Sequence, residues 1–203
     1  MRSVALILLL SAAATYAAEP IASGDWSEPV NGLRGRLLLA DRGLFNDTRI
    51  DLVYLELQNV TDVMGALQIN IDDKTLWCGV VDASGKTIDQ SPSAADFFTP
   101  GPYTLSLPYD STLRFLVSVS GYGIPKGPGQ AFQLVSGFWF FSASATEERY
   151  LTGRFAVPVL NPTDIEARRK DIHRGRVWRG TLKLPKIKIP LITTDNSKKS
   201  SAQ

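Results

Sequence analysis

The chain has 203 residues, of which 44% are apolar and 21% are charged, with 22 Lys and Arg against 20 Asp and Glu. These proportions exclude a disordered or collagen-like chain, and the net charge of +2 gives no whole-chain preference for nucleic acid or a membrane surface. One cysteine excludes an internal disulfide, and one histidine leaves few routes to metal or triad chemistry.

The first 17 residues have the three-part pattern of a secretory signal peptide. Arg2 supplies the positive start, residues 4–14 are an apolar run broken only by Ser11, and Thr15 and Ala17 are small residues at positions −3 and −1. The run is shorter than the ~20 residues of a membrane-spanning helix. We therefore predict a signal peptide at 1–17, and an exported chain (periplasmic, cell-surface or extracellular) that does not span a membrane after the signal is removed.

After the signal peptide, residues 18–25 are predicted to be a linker. Period-two patterns then predict strands along most of the remaining chain. Leu67, Ile69 and Ile71 alternate with polar residues and should share one face of a half-buried strand. Turn residues separate the runs at the spacing of an all-β sandwich. The predicted strands are 34–40, 50–59, 67–72, 76–81, 103–107, 113–119 and 155–157, the last as a short edge strand, with a strongly aromatic segment at 132–142.

Two segments rich in Gly and Pro, 91–102 and 121–129, are predicted to be long connections. The second lacks the helix start of a phosphate-binding loop, so we interpret it as a candidate protein-binding loop that would present Ile124 and Lys126.

The C-terminal part begins with the only predicted helix. Thr163 and Glu166 have the spacing of a capping box after Pro162, and the helix should run to about residue 172. Basic and apolar residues then alternate over 177–191, which is typical of an edge strand because Lys blunts the unpaired side of a sheet. The polar segment 193–203 is predicted to be a disordered tail.

Charge is distributed unevenly between these parts. Residues 18–163 carry 10 basic and 16 acidic residues, a net −6, whereas residues 164–203 carry 11 and 4, a net +7. The basic segment, with Arg168, Arg169 and Lys170 at its start, is either a solvated face that complements the acidic body or a contact for anionic envelope polymers or headgroups. Nucleic acid is not predicted as a partner, because few aromatic residues interleave with the cations and the chain is exported.

The nucleophile candidates are few. Cys78 lies in the apolar run 76–81 and is predicted to be a buried core thiol. A triad or Cys-His pair would have to use His173, which we interpret as a surface residue. The adjacent Glu147 and Glu148 would point to opposite faces of a strand, so they make a poor acid–base pair.

Metal and cofactor sites are not predicted. Asn70, Asp72, Asp73 and Asp82 could supply oxygen ligands for calcium, but they lack the regular spacing of a calcium loop. The chain cannot supply a histidine-rich zinc site. We therefore expect no cofactor and no catalysis.

Tryptophan provides the remaining candidates for ligand binding. Trp139 and Trp77 lie in apolar runs and are expected to pack in the core. Trp26 and Trp178 could instead be exposed and stack on sugar rings, as in carbohydrate-binding modules.

Four phrases of the sequence carry a family resemblance. W-S-E-P-V-N-G-L at 26–33 resembles the first strand of secreted bacterial immunoglobulin-like domains. L-E-L-Q-N-V-T at 55–61, V-V-D-A-S-G-K at 80–86 and W-R-G-T-L-K-L-P at 178–185 are similar to their later strands and turns. The phrases are also similar to the intracellular proteinase inhibitor (BsuPI-like) sandwich. The resemblance implies fold and location; it supplies no catalytic residue.

Together these observations predict an all-β fold: an immunoglobulin-like antiparallel β-sandwich over 26–192, with seven to nine strands and one short helix before the last strand. The predicted function is an exported, non-catalytic binding or structural module of the cell envelope or medium, with an envelope polymer or a protein as its partner. Two alternatives stay open. The first is a peptidase inhibitor that presents one of the loops 91–102 and 121–129, the second of which contains Ile124 and Lys126. The other is a carbohydrate-binding module that uses Trp26 or Trp178.

Overall fold

The computed structural model describes residues 20–45, 48–62, 65–72, 74–91, 103–117, 128–134, 137–158 and 176–190. These segments form an all-β structure with no helix among them. The strands are β1 (Pro20–Ser23), β2 (Leu33–Phe45), β3 (Thr48–Asn59), β4 (Leu67–Ile71), β5 (Leu76–Asp82), β6 (Tyr103–Leu107), β7 (Thr112–Leu116), β8 (Gly129–Leu134), β9 (Gly137–Ser142), β10 (Arg149–Val157), β11 (Arg176–Val177) and β12 (Gly180–Lys188).

The largest sheet is organised around the long strand β3. Its strand order is β1-β2-β3-β8-β9, and β7 also pairs with β3. One edge of β3 pairs with β2 along its whole length, with Leu37 opposite Leu55. The other edge is shared, since β8 pairs in parallel with residues 48–50 and β7 pairs antiparallel with residues 54–58.

Two three-stranded sheets complete the structure. One has the order β12-β10-β5 and is antiparallel throughout, and the other has the order β11-β4-β6. β12 is an edge strand, as its alternation of basic and apolar residues predicts. β10 is the central strand of its sheet, so the prediction of a short edge strand at 155–157 is wrong. In the first half of β10, buried Leu151 and Gly153 alternate with more exposed residues. Because most residues there are polar or small, the sequence does not show this alternation as an apolar pattern.

Alternate residues of all three sheets point into one hydrophobic core. Arg34 and Arg36 lie outside while Leu33, Gly35 and Leu37 are buried, as expected for strands with one covered face. The three sheets thus pack face to face in a sandwich-like arrangement. Fully buried members of the core include Leu33, Leu37, Leu39, Val53, Leu55, Leu57, Ile69, Val80, Phe132, Leu134, Leu151, Phe155 and Leu182.

Leu184 of β12 is packed between two glycines at the contact of the large sheet with the β12-β10-β5 sheet. A Cβ atom on Gly35 would lie 3.0 Å from Leu184 Cδ2, and one on Gly153 would lie 3.0 Å from Leu184 Cδ1. The missing side chains therefore make the space that the leucine fills, which brings β2 and β12 close together.

The predictions outside these segments are not tested by the fold. The signal peptide at 1–17, the short helix from Thr163 and the tail at 193–203 lie outside the described residues. Within the predicted linker 18–25, Pro20–Ser23 form strand β1, which pairs with β2. Residues 82–86 form a tight turn, with Gly85 at a φ of 90° and its N–H donating to the carbonyl oxygen of Asp82.

Candidate functional site

Most residues predicted to bind a partner lie outside the described residues. These are Ile124 and Lys126 of the 121–129 loop and Arg168, Arg169 and Lys170 of the basic segment. The inhibitor loop and the start of the basic segment therefore stay predictions. Trp26 and Trp178 are described, and the structure gives them different surroundings.

Trp178 is a core residue, so the prediction that it is an exposed stacking platform is wrong. Its side chain is only 1% exposed, and its indole ring stacks on Phe155 with centroids 5.5 Å apart. Its Nε1–H donates to the carbonyl oxygen of Val30 at 2.8 Å. Trp178 directly follows β11, and its backbone N–H donates to the carbonyl oxygen of Gln68 in β4. This bond holds the residue at the edge of the β11-β4-β6 sheet, with its side chain in the core.

Trp26 is half-buried and its ring is covered by cations. The guanidinium carbon of Arg36 lies 4.4 Å from the ring centroid, and that of Arg34 lies 4.8 Å away. Hydrogen bonds from Gly24 to Leu37 and between Ser27 and Gly35 hold this segment along β2. The ring is therefore occupied by cation–π contacts within the protein.

One of the two cations on Trp26, Arg36, belongs to a ladder of ion pairs across three strands, whereas Arg34 donates to the amide oxygen of Gln58. Glu56 of β3 accepts from Arg36 of β2 through Oε2 and from Arg114 of β7 through Oε1, with N–O distances of 2.7 Å in both ion pairs. The Glu56 side chain is 5% exposed, so its charge is neutralised by two guanidinium groups at a nearly dry site. The ladder fixes the three side chains relative to one another, and both oxygens of the Glu56 carboxylate are bonded within the protein.

Trp77 is the exposed tryptophan, contrary to the prediction that it packs in the core. Its side chain is 43% exposed, whereas Leu76 and Cys78 on either side of it are buried. Strand alternation explains the difference, since neighbouring residues of β5 point to opposite faces of the sheet. The apolar run 76–81 gives no indication in the sequence that Trp77 is exposed. The one available signal was the rule that neighbours in a strand point to opposite faces, so that Trp77 lies opposite to Leu76 and Cys78.

The Trp77 indole lies back along β5 over Gly79. A Cβ atom on Gly79 would lie 2.8 Å from Cη2 and 2.9 Å from Cζ2 of the indole, closer than a real Cβ can approach. Gly79 is needed here because any larger residue would force the ring away from the strand. The result is an aromatic surface held close to the sheet and open to solvent.

The exposed side of the β12-β10-β5 sheet places two cations beside this ring. Arg154 of β10 is directly opposite Trp77 of β5, and Lys183 of β12 is directly opposite Arg154. All three side chains are exposed. We call the surface formed by Trp77, Gly79, Thr152, Arg154 and Lys183 the Trp77 face. Its central row therefore runs cation, cation, aromatic across three strands about 4.8 Å apart.

The other end of the same sheet contains the carboxylates. Glu148 accepts hydrogen bonds from Lys188 Nζ and from the Tyr150 hydroxyl, the latter at 2.9 Å. The bond from Lys188 is the main cause that lowers the pKa of Glu148. Lys186 lies 5.8 Å from the centre of the Tyr150 ring. These groups satisfy one another, unlike the cations of the Trp77 face.

Comparison with known proteins gives no relative. No family model, curated protein or solved structure matches the chain.

The carboxylates considered as calcium ligands hold turns in the structure. Asp72 Oδ1 accepts from the backbone N–H groups of Lys74 and Thr75, both within 2.9 Å. Asp82 Oδ1 accepts from the Ser84 hydroxyl and from the N–H of Lys86. In the part of the chain that the structure describes, no three His, Cys, Asp or Glu residues are grouped so that they could hold a metal ion. Asp73 and His173 lie outside it.

Cys78 is a core thiol, as predicted. It is 3% exposed, and burial raises its pKa to about 12. A thiol with this pKa is protonated at neutral pH and cannot act as a nucleophile there.

Native protein is therefore expected to resist a thiol reagent such as DTNB at pH 8, with labelling limited by unfolding. The reagent should react within seconds after addition of denaturant. The pKa of Cys78 in the folded protein lies above the value of 9.0 for an unperturbed thiol. The buried thiol therefore makes its full contribution to the free energy of unfolding below pH 9, and this contribution is lost as the pH rises toward 12. Fast labelling of the native protein would contradict this account, and a Cys78→Ala variant should show a smaller loss of stability above pH 9.

The described residues contain no helix, and therefore none that is long and apolar enough to cross a bilayer.

Proposed function

We propose that the chain is an exported, non-catalytic binding module, built as an immunoglobulin-like sandwich, that holds a polysaccharide against the Trp77 face. The observation that carries this proposal is the exposed Trp77 indole lying over Gly79 on an open sheet surface. Export is inferred from the N-terminal signal pattern, and the fold type from the mainly antiparallel pairing and the shared core.

The chemistry of the surface supports a sugar ligand. A pyranose ring presents a face of C–H groups, and an indole provides an apolar, polarisable plane on which that face can stack. Trp77 is open to solvent, whereas Trp26 is covered by two guanidinium groups and Trp178 is buried. Trp77 therefore replaces the two tryptophans that the sequence predicted for this role.

The flatness of the support also favours a polymer. Gly79 and Thr152 lie directly opposite each other next to the Trp77–Arg154 row. The indole lies over Gly79, so the ring stays close to the strands and the small Thr152 stands beside it. An extended chain of sugars can lie across such a surface, with one unit on the indole and the next on the neighbouring strands.

The test is binding of the purified protein to a panel of soluble polysaccharides: hydroxyethyl cellulose, xylan, alginate and polygalacturonate. Trp77→Ala is expected to weaken retention by the bound polymer at least about tenfold, since a central tryptophan commonly dominates an interface. Gly79→Val should weaken it as well, because its side chain displaces the ring that it would otherwise overlap. Affinity electrophoresis gives the dissociation constants.

Tyr109→Ala is the matched control. Tyr109 is an aromatic residue with 49% exposure in the turn between β6 and β7, neither of which belongs to the β12-β10-β5 sheet. Its loss should leave binding unchanged. Equal retention of wild-type protein and Trp77→Ala, or binding to none of the four polymers, would refute the proposed function.

A further inference from the structure

We propose that the polysaccharide is a carboxylated one, and that Arg154 and Lys183 bind the carboxylate of a sugar unit adjacent to the unit stacked on Trp77. This inference rests on the proposed function, which supplies the stacking contact, and adds the chemical class of the ligand. It is argued from charge and register on the Trp77 face.

The two cations of the Trp77 face lie beside each other on neighbouring strands. Arg154 and Lys183 are directly opposite on neighbouring antiparallel strands. Like charges in such a pair repel each other and destabilise the sheet. Within the described segments, neither side chain has a carboxylate within ion-pair distance.

The carboxylates of the same sheet are committed elsewhere. Glu148 is bonded to Lys188 and Tyr150, and Asp82 is bonded within its own turn. Tyr150 precedes Arg154 by four residues of β10, which places these groups about 13 Å from the cation pair. The Trp77 end of the sheet therefore has a local positive potential that an anionic ligand would neutralise.

The side chains favour a carboxylate. The planar guanidinium of Arg154 can donate two parallel hydrogen bonds to the two oxygens of a carboxylate. Lys183 adds a second charge from the next strand, about 4.8 Å away. With Trp77 on the other side of Arg154, the row offers one aromatic contact and one anion contact at neighbouring positions.

The test compares polygalacturonate with the same polymer after full methyl esterification, which keeps the sugar backbone and removes the charge. Wild-type protein should bind the acid form about 30-fold more tightly than the ester at 0.1 M salt, the range expected for charge-assisted hydrogen bonds. Arg154→Gln with Lys183→Gln should reduce that preference to about threefold or less, with the larger loss of affinity for the acid form. Isothermal titration calorimetry gives both constants.

The control is the double variant Lys86→Gln with Lys186→Gln. It removes the same total charge from the far end of the sheet, where Lys186 lies beside the Tyr150 ring. This variant should keep most of the preference for the acid form, because the proposal assigns the preference to one cation pair and not to net charge.

The outcomes separate the two proposals. Equal binding of acid and ester forms, both lost in Trp77→Ala, would overturn the carboxylate assignment and leave polysaccharide binding standing. If both double variants lost the preference for the acid form to the same extent, the preference would come from net charge, and the assignment to Arg154 and Lys183 would be wrong. Tighter binding to dextran sulfate, to polyglutamate or to a ten-residue oligothymidylate than to polygalacturonate would also overturn it.

Discussion

Replacement of Trp178 with alanine is expected to lower the free energy of unfolding by about 3–5 kcal/mol, the range for removal of a buried aromatic side chain. The indole is 1% exposed, stacks on Phe155 and donates a hydrogen bond to the carbonyl oxygen of Val30. The substitution would leave a cavity between β10, the Val30 turn and the start of β12. Urea unfolding followed by circular dichroism measures the change.

Two further variants make this prediction specific. Trp178→Phe keeps the stacking on Phe155 and should cost about 1–2 kcal/mol, because the Val30 oxygen still accepts from the N–H of Leu33. Trp77→Ala should cost less than about 1 kcal/mol, since its side chain is largely in solvent. If Trp77→Ala destabilised the protein as much as Trp178→Ala, the assignment of one to the core and the other to the surface would be wrong.

The second large effect is expected at Asn59, the last residue of β3. Its side chain is buried with 0% exposure and makes four hydrogen bonds. The amide Nδ2 donates to the carbonyl oxygens of Gly65 and Leu107, at 3.2 and 3.0 Å. Oδ1 accepts from the N–H and the hydroxyl of Thr61. The residue thus joins the large sheet to β6 of a small one.

Asn59→Ala should lower the free energy of unfolding by about 2–4 kcal/mol, because it leaves several buried polar groups without their partner. Asn59→Asp should cost at least as much at pH 7, since a buried carboxylate would face two carbonyl oxygens. That pairing raises the pKa of the new carboxyl in the folded state, so the Asp variant should regain stability as the pH falls. Urea midpoints at pH 7 and pH 5 measure both effects.

Asn70→Ala is the control for Asn59. Asn70 lies on the outer side of β4 and its amide oxygen accepts one hydrogen bond, from the Thr104 hydroxyl. Its loss should cost less than about 1 kcal/mol. Equal stability of the Asn59→Ala and Asn70→Ala proteins would contradict the role of Asn59 as a buried connection between sheets.

The strands that the sequence predicts well are those with one covered face. Leu67, Ile69 and Ile71 alternate with polar residues, and β4 has the predicted inward and outward sides. The central strand β10 was underestimated because Gly153 occupies an inward position that periodicity expects to be large and apolar. Leu184 from β12 fills that space, and a contact so distant along the chain has no local signal.

The candidate site depends on the same kind of distant contact. Trp77 lies in a run whose residues are apolar on both faces, so its exposure could not be told from a doubly buried strand. Arg154 and Lys183 are 29 positions apart in the chain and become neighbours of each other, and of Trp77, only through the pairing of β5, β10 and β12. The cation row is therefore a property of the sheet register.

Ligand binding at the Trp77 face is tested most directly by NMR of the four indole N–H groups during titration with oligogalacturonate. The Trp77→Ala spectrum assigns the Trp77 signal. Trp139 and Trp178 are buried and donate to the carbonyl oxygens of Ile88 and Val30, so their signals should stay in place. The account predicts that the Trp77 signal moves progressively to saturation. A stationary Trp77 signal in a protein that binds the ligand would contradict it.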